Sequence, residues 1–188
     1  KNLPRNMLIH IHPDNPQPRQ IKTVVDCLRS GGVIIYPTDT IYGIGCDITN
    51  RDAIERVCRI KGVDPKKAQF SFVCSDLSHI TDYAKSIDTP IFRILKSALP
   101  GPYTFILNAG KQVPKMLQTK KDTVGIRVPD HKICNMIVEQ LGNPIMSTSL
   151  PMHGEVGYYT DTEVMYDIFG DKLDIVINSG FGDIISST

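Results

Sequence analysis

The chain has 188 residues, 41% of them hydrophobic and 22% charged, with a formal net charge of +1 from 21 Lys or Arg and 20 Asp or Glu. That apolar share excludes a disordered class, and the length fits a single domain over residues 1–188. A charge so close to zero excludes a strong basic field over the whole molecule, so nucleic-acid contact would have to come from a local patch.

In chain order, MLIHI (7–11) predicts a short first strand. Within NPQPRQIKTVVDCLRSGG (15–32), Ile21, Val24, Val25 and Leu28 recur at helical spacing, and Gly31 and Gly32 end the helix. VIIY (33–36) is apolar throughout and predicts a strand covered on both faces. The stretch that takes over from it, YPTDTIYGIG (36–45), reads as a loop whose density of hydroxyl and carboxylate groups suits a small polar ligand. Asn50 caps a following helix that carries Ala53, Ile54, Val57, Cys58 and Ile60. FSFVC (70–74), YTFIL (103–107) and TVGIRV (123–128) predict strands, and TPIFRILKSAL (89–99) a helix with proline in its first turn. DHKICNMIVEQLG (130–142) predicts a helix capped by Asp130 and stopped by Gly142. PIMSTS (144–149) as strand, a helix over 161–170 and DIVIN (174–178) as strand complete the series.

Strands separated by helices imply an α/β sheet that is at least partly parallel. Three polar clusters, PTDT (37–40), STS (147–149) and SST (186–188), fall where strands end. Ligands of open α/β sheets sit beyond strand ends, so one crevice would gather all three. No apolar run approaches the ~20 residues of a membrane span, and the start lacks a signal-peptide core. The five cysteines, Cys27, Cys46, Cys58, Cys74 and Cys134, show no C-x-x-C spacing and lie mostly in apolar stretches. They read as inert buried thiols in a reducing, cytoplasmic compartment.

Lys61 ends its helix, either answering the macrodipole or facing an anion. Arg127 finishes a β-branched run, so it is either paired or aimed at an anion, and its planar fork suits a carboxylate or phosphate. Ser147 and Ser149 form an ordinary turn or offer hydroxyls and N–H groups to phosphate oxygens. Thr104, after a Pro-Gly-Pro corner, is placed to reach the same crevice, and Lys66 and Lys67 stand together in the polar loop 62–69. There is no P-loop, and GIGCDI lacks the later glycine of a dinucleotide fingerprint. His10 and His12 have no third ligand near them in sequence, so no metal site is expected. His79, His131 and His153 are scattered, and no nucleophile–base pair supports covalent catalysis.

Taken in order, GGVIIYPTDTIYGIGCD (31–47), PGPYTFIL (100–107), TVGIRVPDH (123–131) and PIMSTSL (144–150) resemble the YrdC/YciO family over about residues 8–188. IHPDNPQPRQI (11–21) and STSL (147–150) are similar to its YciO branch. The resemblance implies a YrdC/RibB-like fold, a twisted mixed β-sheet flanked by helices with a concave, positive face. It also implies the chemistry of the YrdC branch, which makes threonylcarbamoyl-AMP from L-threonine, bicarbonate and ATP for tRNA adenosine modification. Carried over by position, Thr38, Thr40 and Tyr42 would line a threonine pocket and Arg127 would hold the amino-acid carboxylate. Lys61 would approach the carbamate and phosphates, with Lys66, Lys67, Thr104, Ser147 and Ser149 around the nucleotide. Mg²⁺ would arrive with ATP, with no tightly bound cofactor.

Three departures bear on turnover. Val63 stands where the family's K-x-R motif has its arginine, and losing that cation costs about 3 kcal/mol of transition-state stabilisation. Leu150 and Pro151 replace a small residue and an amide donor. The sequence stops at SST where family members run on into a last strand, so an edge and a nucleotide contact are expected to be missing. Two other functions stay open. One is double-stranded RNA or tRNA binding through Lys61, Lys66, Lys67, Lys120 and Lys121. The other is a nucleotide- or amino-acid-binding regulator without turnover.

Overall fold

The structure, a computed structural model, describes residues 6–151, 158–183 and 185–188. His153 and the HGEVG turn (153–157) lie outside the described residues. In chain order the elements are β1 (Met7–His10), α1 (Pro18–Arg29), β2 (Val33–Tyr36), β3 (Gly43–Asp47), α2 (Arg51–Lys61) and β4 (Ser71–Val73). Then come α3 (Ile80–Tyr83), β5 (Ala84–Lys85), α4 (Thr89–Ala98), β6 (Phe105–Ala109), β7 (Thr123–Arg127), α5 (Lys132–Leu141), β8 (Ile145–Ser149), α6 (Thr162–Phe169) and β9 (Ile175–Asn178).

Local chemistry accounts for the helix ends. Pro18 opens α1, whose buried stripe includes Ile21, Val24, Val25 and Leu28. Asn50 Oδ1 accepts the Ala53 N–H at 2.9 Å to start α2, and Gly62 closes it at φ 71°. Gly142 closes α5 in the same left-handed way. Asp130 does not cap α5. His131 holds that position without a side-chain cap, because the helix begins one residue later than expected, with the Asn135 N–H donating to the His131 carbonyl at 3.0 Å.

Among the described residues, nine strands form one mixed sheet in the order β1-β9-β2-β3-β8-β4-β7-β6-β5. β9 lies between β1 and β2, parallel to both, and β4 is parallel to β7. The other pairings are antiparallel. The strand β3 falls in a stretch that reads as loop, since GIGCD is glycine-rich and glycine weakens a strand signal. β6 starts at Phe105, not at Tyr103, because its ladder begins where Phe105 meets Ile126 of β7.

Alternation along the strands divides the core in two. Val33, Ile35, Ile44 and Val176 face a cluster with α2, α3, α4 and α6. Ile34, Tyr36, Val73, Ile145, Ile175 and Ile177 face the other cluster, with α1 and α5. On this second face, register pairing sets Ile34, Gly45, Ser147, Ser71 and Gly125 in one row across β2, β3, β8, β4 and β7. Past Ile34 the row holds only glycine and serine: the Tyr36 ring takes the space over Gly45, and Ser147 and Ser71 border open room above the sheet.

Candidate functional site

Two adjoining hollows open there, and Tyr42 lines both. The smaller, ≈ 190 Å³, is lined by Gly43, Ser71 and Ser147, with Arg127, Ser149, Gln69 and Ser187 around it. The larger, ≈ 490 Å³, lies among Thr38, Asp39, Thr40, His131, Ser179 and Phe181.

Arg127 stands at the seam and is only 8% exposed. Its Nη2 donates to Thr40 Oγ1 at 3.0 Å and to Asp39 Oδ1 at 3.3 Å, while its buried Nε–H has no partner among the described residues. An arginine fork this dry with an unused donor is prepared for one more acceptor. Asp39 is thus a member of the site that sequence reasoning passed over, though it sits between the two threonines of the loop.

The loop holds its own shape. Thr38 Oγ1 donates to the Ile41 carbonyl at 2.8 Å and accepts the Thr40 N–H at 3.1 Å. Its one proton being spent, the 3.0 Å contact between the two threonine hydroxyls has Thr40 as donor. Both threonines line the larger hollow, with their hydroxyl protons turned inward to the loop. Tyr42 Oη donates to the Gly180 carbonyl at 2.8 Å and accepts the Ser179 N–H at 3.2 Å, pegging the chain after β9 to the loop. Burial pushes its pKa up, so it stays a donor.

Lys61, the last residue of α2, donates from Nζ to the Ser149 carbonyl at 2.7 Å, to Ser149 Oγ at 2.9 Å and to the Leu150 carbonyl at 3.3 Å. Burial pushes its pKa down. Only uncharged oxygens meet its ammonium among the described residues, so its positive charge is not neutralised at the rim. Ser147 Oγ accepts from the phenol of Tyr36, a residue hidden from sequence reasoning inside the apolar run VIIY. His131 lines the larger hollow with its pKa lowered by burial, which favours the neutral imidazole.

Thr104 stands differently from Ser147 and Ser149. Its N–H donates to the Thr188 carbonyl at 2.8 Å, the Thr188 N–H donates to the Pro102 carbonyl at 3.1 Å, and its hydroxyl lies 2.8 Å from Ser187 Oγ. The SST segment therefore pairs with residues 102–104 and brings Ser186 and Ser187 to the smaller hollow. Lys66 and Lys67 are exposed and line neither hollow. Val63 packs against the core on the α2 side, and Leu150 is buried in that same cluster. The structure thus gathers Thr38, Thr40, Tyr42, Arg127, Ser147 and Ser149 around adjoining hollows, sets Lys61 on the rim, and leaves Lys66 and Lys67 outside.

Fold and site together define an α/β protein with a mixed sheet and a polar cleft that holds a nearly buried arginine. The comparisons give the class its name. The Sua5/YciO/YrdC family model, whose description reads Telomere recombination, matches residues 26–188, and the chain belongs to this family. The chain is 42% identical to YciO of Escherichia coli K12, named an uncharacterized protein, over 94% of this chain and 85% of that one. The crystal structure of E. coli YciO superposes with a TM-score of 0.90 at 40% identity, covering 97% of this chain and 88% of that one. A threonylcarbamoyl-AMP synthase of Coxiella burnetii is 31% identical over 87% of each chain. Sua5 of P. abyssi, solved with L-threonine, shares the fold with a TM-score of 0.87 at 24% identity, over 97% of this chain and 53% of that one. The family likeness and the mixed sheet flanked by helices, both expected from the motifs, are borne out. Among the described residues, no helix is long and apolar enough to cross a membrane.

Proposed function

We propose that this protein joins L-threonine, bicarbonate and ATP into threonylcarbamoyl-AMP, the activated group used in tRNA adenosine modification. The observation that carries the reading is Arg127, a nearly dry guanidinium with an unused Nε–H beside a polar hollow. The 31% identity to a named threonylcarbamoyl-AMP synthase supports it. In the proposed reaction the threonine amine and bicarbonate give a carbamate and water. A carbamate oxygen then bonds to the α-phosphorus, the bond to the β-phosphate oxygen breaks, and pyrophosphate leaves.

Arg127 would take the threonine carboxylate, with Thr38, Thr40 and Tyr42 forming the wall beside it. Lys61 would oppose the charge that gathers on the phosphates, and Ser147 and Ser149 would donate to their oxygens. Thr104 would act through Ser187, which it holds in place. Magnesium would enter on ATP as part of the substrate. With Val63 in the motif position and Lys66 and Lys67 pointing elsewhere, turnover is expected to be slow.

The test is pyrophosphate release with Mg–ATP and bicarbonate, with and without L-threonine. Threonine-dependent release that is lost in Arg127→Ala is the expected result. Release indifferent to threonine, or none at all, overturns the reading.

A second reading, contact with double-stranded RNA or tRNA, has its own support. Lys66 and Lys67 precede β4, Lys120 and Lys121 precede β7, and all four are exposed. Because β4 and β7 run parallel, these lysines collect at one end of the sheet. Such contact should weaken steeply between 50 and 200 mM salt, on the order of one power of ten for each two or so phosphates engaged. RNA binding that ignores salt rules it out.

A further inference from the structure

We propose that Tyr36 is a positioning residue that fixes the hydroxyl of Ser147 as a donor into the smaller hollow, so that this spot takes an anionic oxygen. The proposal deepens the reading given above and rests on its anion-handling site. Serine has one proton and two lone pairs, and left alone its hydroxyl turns to suit either kind of partner. Here Tyr36 Oη donates to Ser147 Oγ and occupies one lone pair. Burial raises the Tyr36 pKa, so the phenol keeps its proton and remains the donor at any physiological pH. The Ser147 proton is then directed away from Tyr36. It finds no acceptor among the described residues, and Ser147 lines the hollow. Receiving a hydrogen bond also makes the serine O–H a stronger donor in turn.

The geometry that allows this is specific. Tyr36 is on β2 and Ser147 on β8, with β3 between them, so the phenol has to cross about two strand spacings, roughly 9.6 Å. It lies over the two glycines of β3. A Cβ on Gly43 would stand 3.3 Å from the Tyr36 ring and 3.1 Å from Ser147 Oγ. A Cβ on Gly45 would stand 3.2 Å from the ring and 2.6 Å from Ile145 Cγ2. A side chain at Gly43 presses on both the ring and the serine hydroxyl, and one at Gly45 also runs into Ile145 and the Met146 carbonyl of β8. The pattern Tyr36, Gly43, Gly45 and Ser147 is one device.

A double-mutant cycle tests it, with pyrophosphate as the probe and calorimetry as the readout. Tyr36→Phe keeps the ring and removes only the donor. It should weaken pyrophosphate binding about tenfold, Ser147→Ala by a similar factor, and the double variant no more than Ser147→Ala alone. In ¹³C-serine spectra the Ser147 Cβ signal should move on pyrophosphate addition in the wild type and move less in Tyr36→Phe. Losses that add, a Tyr36→Phe variant that binds like wild type, or a wild type that binds no pyrophosphate each overturn the proposal. Circular dichroism of each variant separates lost folding from lost binding. For a variant that unfolds, Gly43→Ala takes the place of Tyr36→Phe, and normal binding there also overturns it. If the cycle behaves as expected while threonine-dependent turnover is absent, the enzymatic reading falls and this one stands. Turnover with an additive cycle gives the reverse.

Discussion

Arg127 and Asp39 face each other with side chains 9% and 11% exposed, so removing one leaves the other charged, dry and unpaired. Asp39 also receives the N–H of Asp130, which joins the loop after β2 to the turn after β7. Asp39→Ala should lower stability by about 3 kcal/mol, read as a shift of the urea midpoint with an unchanged slope. Lys61 gives a prediction in pH. Its folded pKa lies below the ordinary 10.5, so between the two values the unfolded chain binds more protons than the folded one. The cost of burying its charge is therefore full at neutral pH and is relieved as pH rises through that window. Anion affinity carries the opposite sign, since it needs the charge. Binding of pyrophosphate should decline over the same interval below 10.5, and Lys61→Met should lack that alkaline limb in a calorimetric titration.

At the scale of elements, α2 shows how local signals set a functional side chain. Asn50 fixes where the helix begins and Gly62 where it ends, and this delivers Lys61 to the carbonyls of Ser149 and Leu150. Gly62→Ala meets no atom within 4 Å, so its cost is the left-handed backbone alone, about 1 kcal/mol. Asn50→Ala should cost a similar ~1 kcal/mol. Denaturant titration of both variants checks the pair.

Helices of this kind were legible because periodicity, caps and stop glycines agree along the sequence. β3 was not, because the glycines that let Tyr36 cross it are the residues that erase a strand's signature. α3 and β5 are four and two residues long, too short to show a period. Asp130 reads as a cap because aspartate favours that place, yet the helix starts one residue on, after His131. In the site, charged and hydroxyl residues in polar clusters could be read. Tyr36, in an apolar run, and Ser71 and Gln69, whose roles depend on register between distant strands, could not.

The whole molecule is closed by its last described strand. Asp174, fully buried, holds three strands together just ahead of β9. Its Oδ2 accepts the Val33 N–H at 2.8 Å and Arg56 Nη1 at 2.6 Å, and its backbone carbonyl accepts the Met7 N–H at 3.0 Å. Asp174→Ala should cost about 3 kcal/mol, since it takes the carboxylate from Arg56, which keeps only the Lys172 carbonyl, and the acceptor from the buried Val33 N–H. A thermal melt shows whether it does. The strand that follows fills a slot between β1 and β2, the first two strands of the chain. During synthesis those two wait with unsatisfied flanks until residues 175–178 emerge, and a nascent chain halted before that point presents sticky borders to its neighbours. Until β9 enters that slot, both flanks stay open as edges on which a strand of another molecule can pair.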